Sequence, residues 1–432
     1  MKTQRSGQGT RWGIAGVLIV VVALLAACGQ SSGSDAPSNG PVTITFLSYS
    51  YGQANAQGDG IKKLIADFQA ANPNITVQPQ SVATADVLTK LQASVVAGDP
   101  PDVAQIGWSK MSQAADLLPL RKFQDIASPS DWQNTISGIV PSVMKAAPIG
   151  AQKQLVAMPF QMGIPVLYYN ADLFRKAGLD PAHPPATIAQ MKDDALAIKS
   201  KTGADGTYVS VVDSGKSDYL TQSVINSAGG AEAGPNGEPT VDSPQAITAL
   251  SAIQDLTKSG AQPGVSADSA ATAFMAGKLG MLVLTAAGLP TAAKAAKGKF
   301  DLQLAKMPGF DGITPKPTFS GNGLSILAKD SAKATAAWKF VQFLTNDQSM
   351  QYIAANLGYL PLRSAAFGAA DPRLGSAVAQ LNDVAPYTTF SGKQSNQGVV
   401  VLQDEAIEPI VLRGADPAAT LHAAETKIKG LG

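Results

Sequence analysis

From Val42 the chain alternates apolar and polar positions, Val42-Thr43-Ile44-Thr45-Phe46, the two-residue period of a half-buried strand. Ile61, Leu64, Ile65 and Phe68 then recur at helical spacing, and Asn72-Pro73-Asn74 stops that helix. Ile75-Thr76-Val77 predicts a second strand. Leu88, Leu91 and Val95 mark a second helix, closed by Gly98-Asp99-Pro100-Pro101, and Val103 to Ile106 follows as a buried strand. Strand, helix, strand, helix, strand in this order predicts a parallel sheet with helices on both faces, an α/β lobe.

A second series runs from Pro165 to about Phe319. Val166-Leu167-Tyr168-Tyr169 is an apolar strand, Asn170 is placed to cap a helix over Ala171 to Ala177, and Gly178 to end it in a left-handed turn. Helical spacing returns over Ile188 to Ile198 and Ile247 to Leu256, with a Gly/Pro/Asn-rich loop between Gly229 and Pro239, and Met281 to Leu284 is a short strand-like run. Ala334, Trp338, Val341 and Leu344 share one helix face near the C-terminus. No internal repeat is evident. The 432 residues are too many for one core and suffice for two domains of ordinary size.

The first thirty residues address the compartment. Lys2, Arg5 and Arg11 precede an uncharged run of fifteen residues from Gly13 to Ala27, which ends on Leu25-Ala26-Ala27-Cys28. A basic start, an apolar stretch shorter than the roughly 20 residues of a spanning helix and small residues at the end make a secretory signal. The pattern resembles a bacterial lipobox, so residues 1–27 are expected to be cleaved and Cys28, the only cysteine, to be lipidated. The alternative is a signal cut elsewhere with Cys28 incidental. Residues 28–40, rich in Ser, Gly, Asn and Pro, read as a flexible tether. The formal net charge is +1, and removing three basic residues with the leader brings it to 1 − 3 = −2. Charged residues make up only 15% and form no like-charged block, which argues against a nucleic-acid partner.

Signals for catalysis are absent. The two histidines, His183 in a Pro-rich turn and His422 in a C-terminal helix, lack any motif and are expected at the surface. No zinc-type spacing or G-x-S-x-G elbow occurs, and no metal or cofactor is expected. Gly215-Lys216-Ser217 and Gly321-Asn322-Gly323 only partly match nucleotide-binding loops, because Ser210 and Ile326 stand where glycines belong. The pairs Asp193-Asp194 and Asp404-Glu405 read as solvated helix faces. A secreted glycoside hydrolase with two distant carboxylates stays open as the alternative from another class, since that geometry leaves no local motif.

Four segments in order resemble the extracellular solute-binding proteins of carbohydrate-type ABC importers, in particular their glycerol-3-phosphate-binding branch. They are Gly98-Asp99-Pro100-Pro101-Asp102-Val103; Met158 to Asn170 continuing through Leu173 to Leu179 and Pro184-Pro185; Gly321 to Ser325 with the later Trp338-Lys339-Phe340; and Gly358-Tyr359-Leu360-Pro361. The resemblance spans nearly all of the chain after the tether. It implies a two-lobed periplasmic-binding-protein-like (type II) α/β fold with a central cleft. The crossings are expected near Pro165 to Tyr168, Leu324 to Leu327 and Gln351 to Leu360, dividing the chain into 41–163 plus 325–350 and 164–324 plus 351–432. It also implies a non-enzymatic, monomeric protein that closes on a small solute and delivers it to ABC permease subunits, held to the membrane by its lipid.

A sugar needs aromatic platforms and fixed hydrogen-bonding groups. By the resemblance, Tyr49, Tyr51, Trp108, Gln161, Met162, Ser320, Gly321, Asn322 and Tyr359 fall at the cleft, with Tyr219 and Tyr387 as weaker candidates. Core packing is the alternative for each aromatic, and Trp132 and Trp338 are assigned to it. Departures from the glycerol-phosphate branch bear on the ligand. Val400 replaces an arginine, Met162 and Gly163 replace paired serines, and Trp108 replaces an acidic cleft residue. Losing a cation and hydroxyls while gaining an indole favours a neutral mono- or oligosaccharide, with glycerol 3-phosphate or a glycerophosphodiester second.

Overall fold

The computed structural model describes residues 40–149 and 152–431. Cys28 and nearly all of the tether lie outside the described residues. The first half builds β1 (Val42–Ser48), α1 (Ala56–Ala71), β2 (Ile75–Ser81), α2 (Val87–Val96), β3 (Val103–Gly107), α3 (Trp108–Leu117) and β4 (Met158–Gly163). Later come β5 (Pro165–Asn170), β6 (Met281–Thr285), β7 (Leu302–Lys306) and β8 (Ser320–Ile326). The strands form two sheets, ordered β2-β1-β3-β8-β4 and β6-β5-β7.

The expected parallel sheet is found only in part. β1 runs parallel to β2 and β3, but β8 is antiparallel to both β3 and β4. The parallel strands are linked by crossover helices, as that geometry requires. β8 arrives instead from the far end of the chain, after the second sheet is complete, and enters from the opposite direction. The second sheet is antiparallel throughout, with β5 central.

Local chemistry explains the boundaries. The Asn55 side chain accepts from the Gln57 and Gly58 N–H groups at the start of α1. Asn170 Oδ1 likewise accepts from Asp172 and Leu173, both at 3.1 Å, and Gly178 closes that helix at φ 80°. Phe340, from the helix Ser331–Leu344, meets Phe46 of β1 and Phe68 of α1 at ring distances of 5.2 and 4.9 Å. Trp132 and Trp338 enclose Phe123 in the same core, the packing role assigned to both. A second core gathers β5 residues Leu167 and Tyr169 with the helices Ile188–Thr202, Tyr219–Ser227 and Pro244–Lys258.

Only Ile164 separates β4 from β5; it is fully buried and its carbonyl accepts the Ala286 N–H at 2.8 Å. β8 begins at Ser320, paired with Gly163, four residues ahead of the crossing expected at Leu324. The Leu360 N–H reaches the Met162 carbonyl at 2.8 Å, so a third segment meets the same junction. The first core also meets the second at one edge. Gln113 of α3 donates to the Lys393 carbonyl at 2.6 Å and accepts from the Asn396 N–H at 3.2 Å, at the start of the helix Ser395–Val401.

Candidate functional site

The carboxyl ends of β1 and β3, with β4 and β8 beside them, carry a buried floor of hydroxyls and carboxamides. Gln105 Nε2 donates to Ser50 Oγ and to Gln161 Oε1, each at 2.9 Å, and Ser48 Oγ donates to Gln105 Oε1 at 2.6 Å. Asn322 Nδ2 reaches Gln161 Oε1 at 3.4 Å. Gly321 makes this approach possible: it sits at φ 107°, and a Cβ there would stand 2.0 Å from the Gln161 carbonyl oxygen. One donor and one acceptor of the floor are left over, since Gln161 Nε2 and Asn322 Oδ1 are buried without a hydrogen-bond partner. Buried polar groups left unpaired cost about 1–3 kcal/mol each, so this donor and this acceptor are two hydrogen-bonding positions the floor leaves open.

Tyr49 and Tyr359 stand at this floor. Burial pushes the Tyr49 phenol far above its ordinary range, Tyr359 adds to the shift, and the Asn322 side chain opposes it. Burial alone drives Tyr359 up to about 12. Beside Tyr49 opens a cavity of about 420 Å³, lined also by Gly52, Gln53 and residues 81–84. Tyr51 is half-buried against the first core, and its N–H donates to Ser48 Oγ at 3.1 Å; no ring contact ties it to Tyr49 or Tyr359. Trp108, the first residue of α3, is 4% exposed within the first core, and its Nε1 has no acceptor. Its burial matches core packing; its unpaired N–H matches a ligand contact.

Ser320 lies at the edge nearest the second sheet, where its Oγ meets Thr285 Oγ1 at 2.7 Å. Tyr219 is buried with its hydroxyl at the Thr285 backbone, which places it with this group. Met162 is buried, and its backbone carbonyl holds Leu360. The structure thus joins Tyr49, Gln161, Gly321, Asn322 and Tyr359 in one group and Ser320 with Tyr219 in a neighbouring one.

A set of charges escaped the sequence reading. Asp218 precedes the helix Tyr219–Ser227, all nine residues of which are buried. Its Oδ2 accepts from Gln222 Nε2 at 2.9 Å and its Oδ1 from the Tyr387 hydroxyl. Burial raises its pKa to about 6 despite the hydrogen bonds from Gln222 and Glu232. Glu232 is also buried, beside Asp218 and Gln222. Burial first and the charge of Asp218 second push it well above the usual carboxylate range. Lys110, on α3, lies within electrostatic reach of Asp213 and Asp218, and its pKa is lowered chiefly by burial. These residues span more than a hundred positions with no motif. The one local signal was an acid heading a helix with no charged residue of its own.

The site contains no visible catalytic constellation. His183 and His422 are exposed and pair with Asp180 and Asp242 at 2.7 and 2.8 Å. Asp404 and Glu405 are exposed and paired to Lys216 and Lys427, whereas Asp194 is half-buried, which raises its pKa. Among the described residues no group of three metal-ligating side chains occurs.

The family profile described as bacterial extracellular solute-binding protein matches residues 51–351. A relative, the sn-glycerol-3-phosphate-binding periplasmic protein UgpB of Brucella melitensis, is 26% identical over 368 residues, 81% of each chain. The fold is shared with the cyclic alpha-maltosyl-1,6-maltose binding protein of Arthrobacter globiformis, at TM-score 0.77 and 23% identity over 91% of this chain and 99% of that one. It is shared also with an ABC substrate-binding protein of Listeria monocytogenes solved with cycloalternan, at TM-score 0.74 and 23% identity over 90% and 98%. These neighbours have the two-lobed architecture of periplasmic sugar-binding proteins. Proteins of this kind bind solutes and are not enzymes.

Proposed function

The chain belongs to the bacterial extracellular solute-binding protein family, and from that premise we propose that it captures a neutral mono- or oligosaccharide and hands it to the permease of an ABC importer. The carrying observation is the uncharged floor of Gln105, Gln161 and Asn322, buried with a donor and an acceptor unused and walled by Tyr49 and Tyr359. Amides aimed at hydroxyls, with phenol faces for the sugar's C–H surface, suit a polyol and offer nothing to neutralise a phosphate. Tyr51, Trp108, Met162, Ser320, Gly321 and Tyr219 complete the proposed contact set.

Closure follows from the same division. The expected lobes, with the boundary at 325 moved to 320 so that β8 stays whole in the first sheet, rotate about the junction at Ile164, and a solute touching both shifts the population toward the closed form. The mature protein is a monomer anchored by a lipid on Cys28, after cleavage of residues 1–27 and with 28–40 as tether. Intact-mass analysis of the membrane fraction, showing a diacylated N-terminal cysteine, tests the anchor.

Titration calorimetry on the protein without its leader tests the ligand, using maltose, maltotriose, mannobiose, sn-glycerol 3-phosphate and glycerophosphocholine. Binding of a sugar with a dissociation constant at or below the micromolar range supports the reading. Tight binding of a glycerophosphate and of no sugar refutes it. Glycerophosphate is the second reading, favoured by the named UgpB relative and by the half-buried Lys110.

A further inference from the structure

We propose that Gln105, lying beneath the ligand, sets the polarity of the buried amide floor, so that the ligand must accept a hydrogen bond at Gln161 and donate one at Asn322. Gln105 is thus a positioning residue for hydroxyl recognition. The inference deepens the neutral-sugar reading and rests on it.

The polarity starts at the backbone. A main-chain N–H can only donate, and the Ser50 N–H meets Gln105 Oε1 at 3.3 Å. The Tyr51 N–H donates to Ser48 Oγ at 3.1 Å, and the proton of that hydroxyl goes to the same Gln105 Oε1, 2.6 Å away. Gln105 is therefore held with its oxygen toward these donors and its NH2 toward the next residues of the floor. Nε2 donates to Ser50 Oγ and to Gln161 Oε1, each at 2.9 Å, and Ser50 Oγ donates onward to Gln161 Oε1 at 3.3 Å. Asn322 Nδ2, at 3.4 Å, is the third donor to meet Gln161 Oε1. Reversing any one of these amides would set oxygen against oxygen or NH2 against NH2.

What the chain leaves over is opposite in kind at its two ends. Gln161 Nε2 is a donor and Asn322 Oδ1 an acceptor; both residues are fully buried, and neither atom has a partner. The Asn322 side chain also hydrogen-bonds the Tyr49 phenol, beside which the cavity of about 420 Å³ opens. A hydroxyl satisfies either end, because it both donates and accepts. A phosphate oxygen, an ether or a fluorine only accepts: it suits Gln161 Nε2 and leaves Asn322 Oδ1 bare. The floor therefore selects a polyol by its protons, and a buried acceptor left bare is what rejects the alternative.

Leaderless wild type and Gln105→Glu are titrated at pH 8 with maltose, maltotriose and mannobiose, then with deoxy and deoxyfluoro derivatives of whichever sugar binds. Fluorine restores affinity over the deoxy compound only where the protein donates. On the wild type, one hydroxyl position should show this rescue, and another, facing Asn322, should lose at least tenfold with either derivative. The introduced carboxylate has no proton to give, so Gln161 turns its NH2 toward it, Asn322 follows, and the two positions should exchange behaviour. A role confined to packing would weaken all the derivatives alike and keep the wild-type pattern, which overturns the inference. If Gln105→Glu does not fold, Gln105→Met removes the directing amide, and the two positions should come within twofold of each other; an unaltered pattern there overturns the inference equally. Sugar binding by the wild type without rescue at any position overturns the inference alone. Wild-type protein that binds none of the three sugars overturns the neutral-sugar reading, and the inference with it.

Discussion

Replacing Asp218 by asparagine removes one buried acid while keeping an acceptor for Tyr387. Its ordinary pKa of 3.8 is raised to about 6 in the folded protein, chiefly by burial. The folded state therefore holds this proton over a pH range in which the unfolded state has released it. The stabilisation is present in full below pH 4 and is lost as pH rises through about 6. A shift of about two units, at 1.36 kcal/mol each, sets an upper bound of about 3 kcal/mol. Glu232 acts with the same sign, while Gln222 and Tyr387 hold the ionised form and Asp213 and Lys110 supply the nearby charges. Exposed carboxylates such as Asp180, whose pKa is lowered by hydrogen bonds, act oppositely; subtracting variant from wild type cancels them. Urea unfolding followed by tryptophan fluorescence between pH 4 and 7.5 gives the difference directly. The variant should gain on the wild type by about 2–3 kcal/mol as pH rises across this range. Parallel stability curves would refute the argument, because they would mean that Asp218 titrates alike folded and unfolded.

Gln113→Ala removes both hydrogen bonds to the 393–396 backbone. At about 0.5–1.5 kcal/mol each, it should favour separation of the halves, read as a larger radius of gyration in solution scattering. Gly321→Ala forces a Cβ onto the Gln161 carbonyl at positive φ, and should lower stability by about 3 kcal/mol or more in urea while abolishing ligand binding. Asn170→Ala removes a helix cap and should cost about 1 kcal/mol with binding intact, a contrast that separates scaffold from site.

Asn170, the helix it starts and the Gly178 that ends it were legible because the determinants lie within nine residues and act through backbone chemistry alone. The apolar alternation of β1 and the buried run of β3 were legible for the same reason. The direction of β8 was not, since neighbouring residues say nothing about which side a late strand enters from. Tyr49, Asn322 and Tyr359 were named from a resemblance, and the structure places them together. Lys110, Asp213, Asp218 and Glu232 were invisible because their meaning is spatial. A lysine two places after a tryptophan and an aspartate in a Ser/Gly turn look like ordinary surface residues until the fold half-buries both.

The one-residue link at Ile164 makes β4 and β5 a nearly continuous ribbon. Side chains along a strand point alternately to opposite faces, so adding a single residue there would reverse the facing of every β5 position relative to β4. Leu167 and Tyr168, now turned into different cores, would exchange surroundings. The spacing of that junction is consequently under tighter constraint than its chemistry: a valine in place of Ile164 is tolerable, whereas an inserted glycine would scramble one half of the molecule while leaving the other intact.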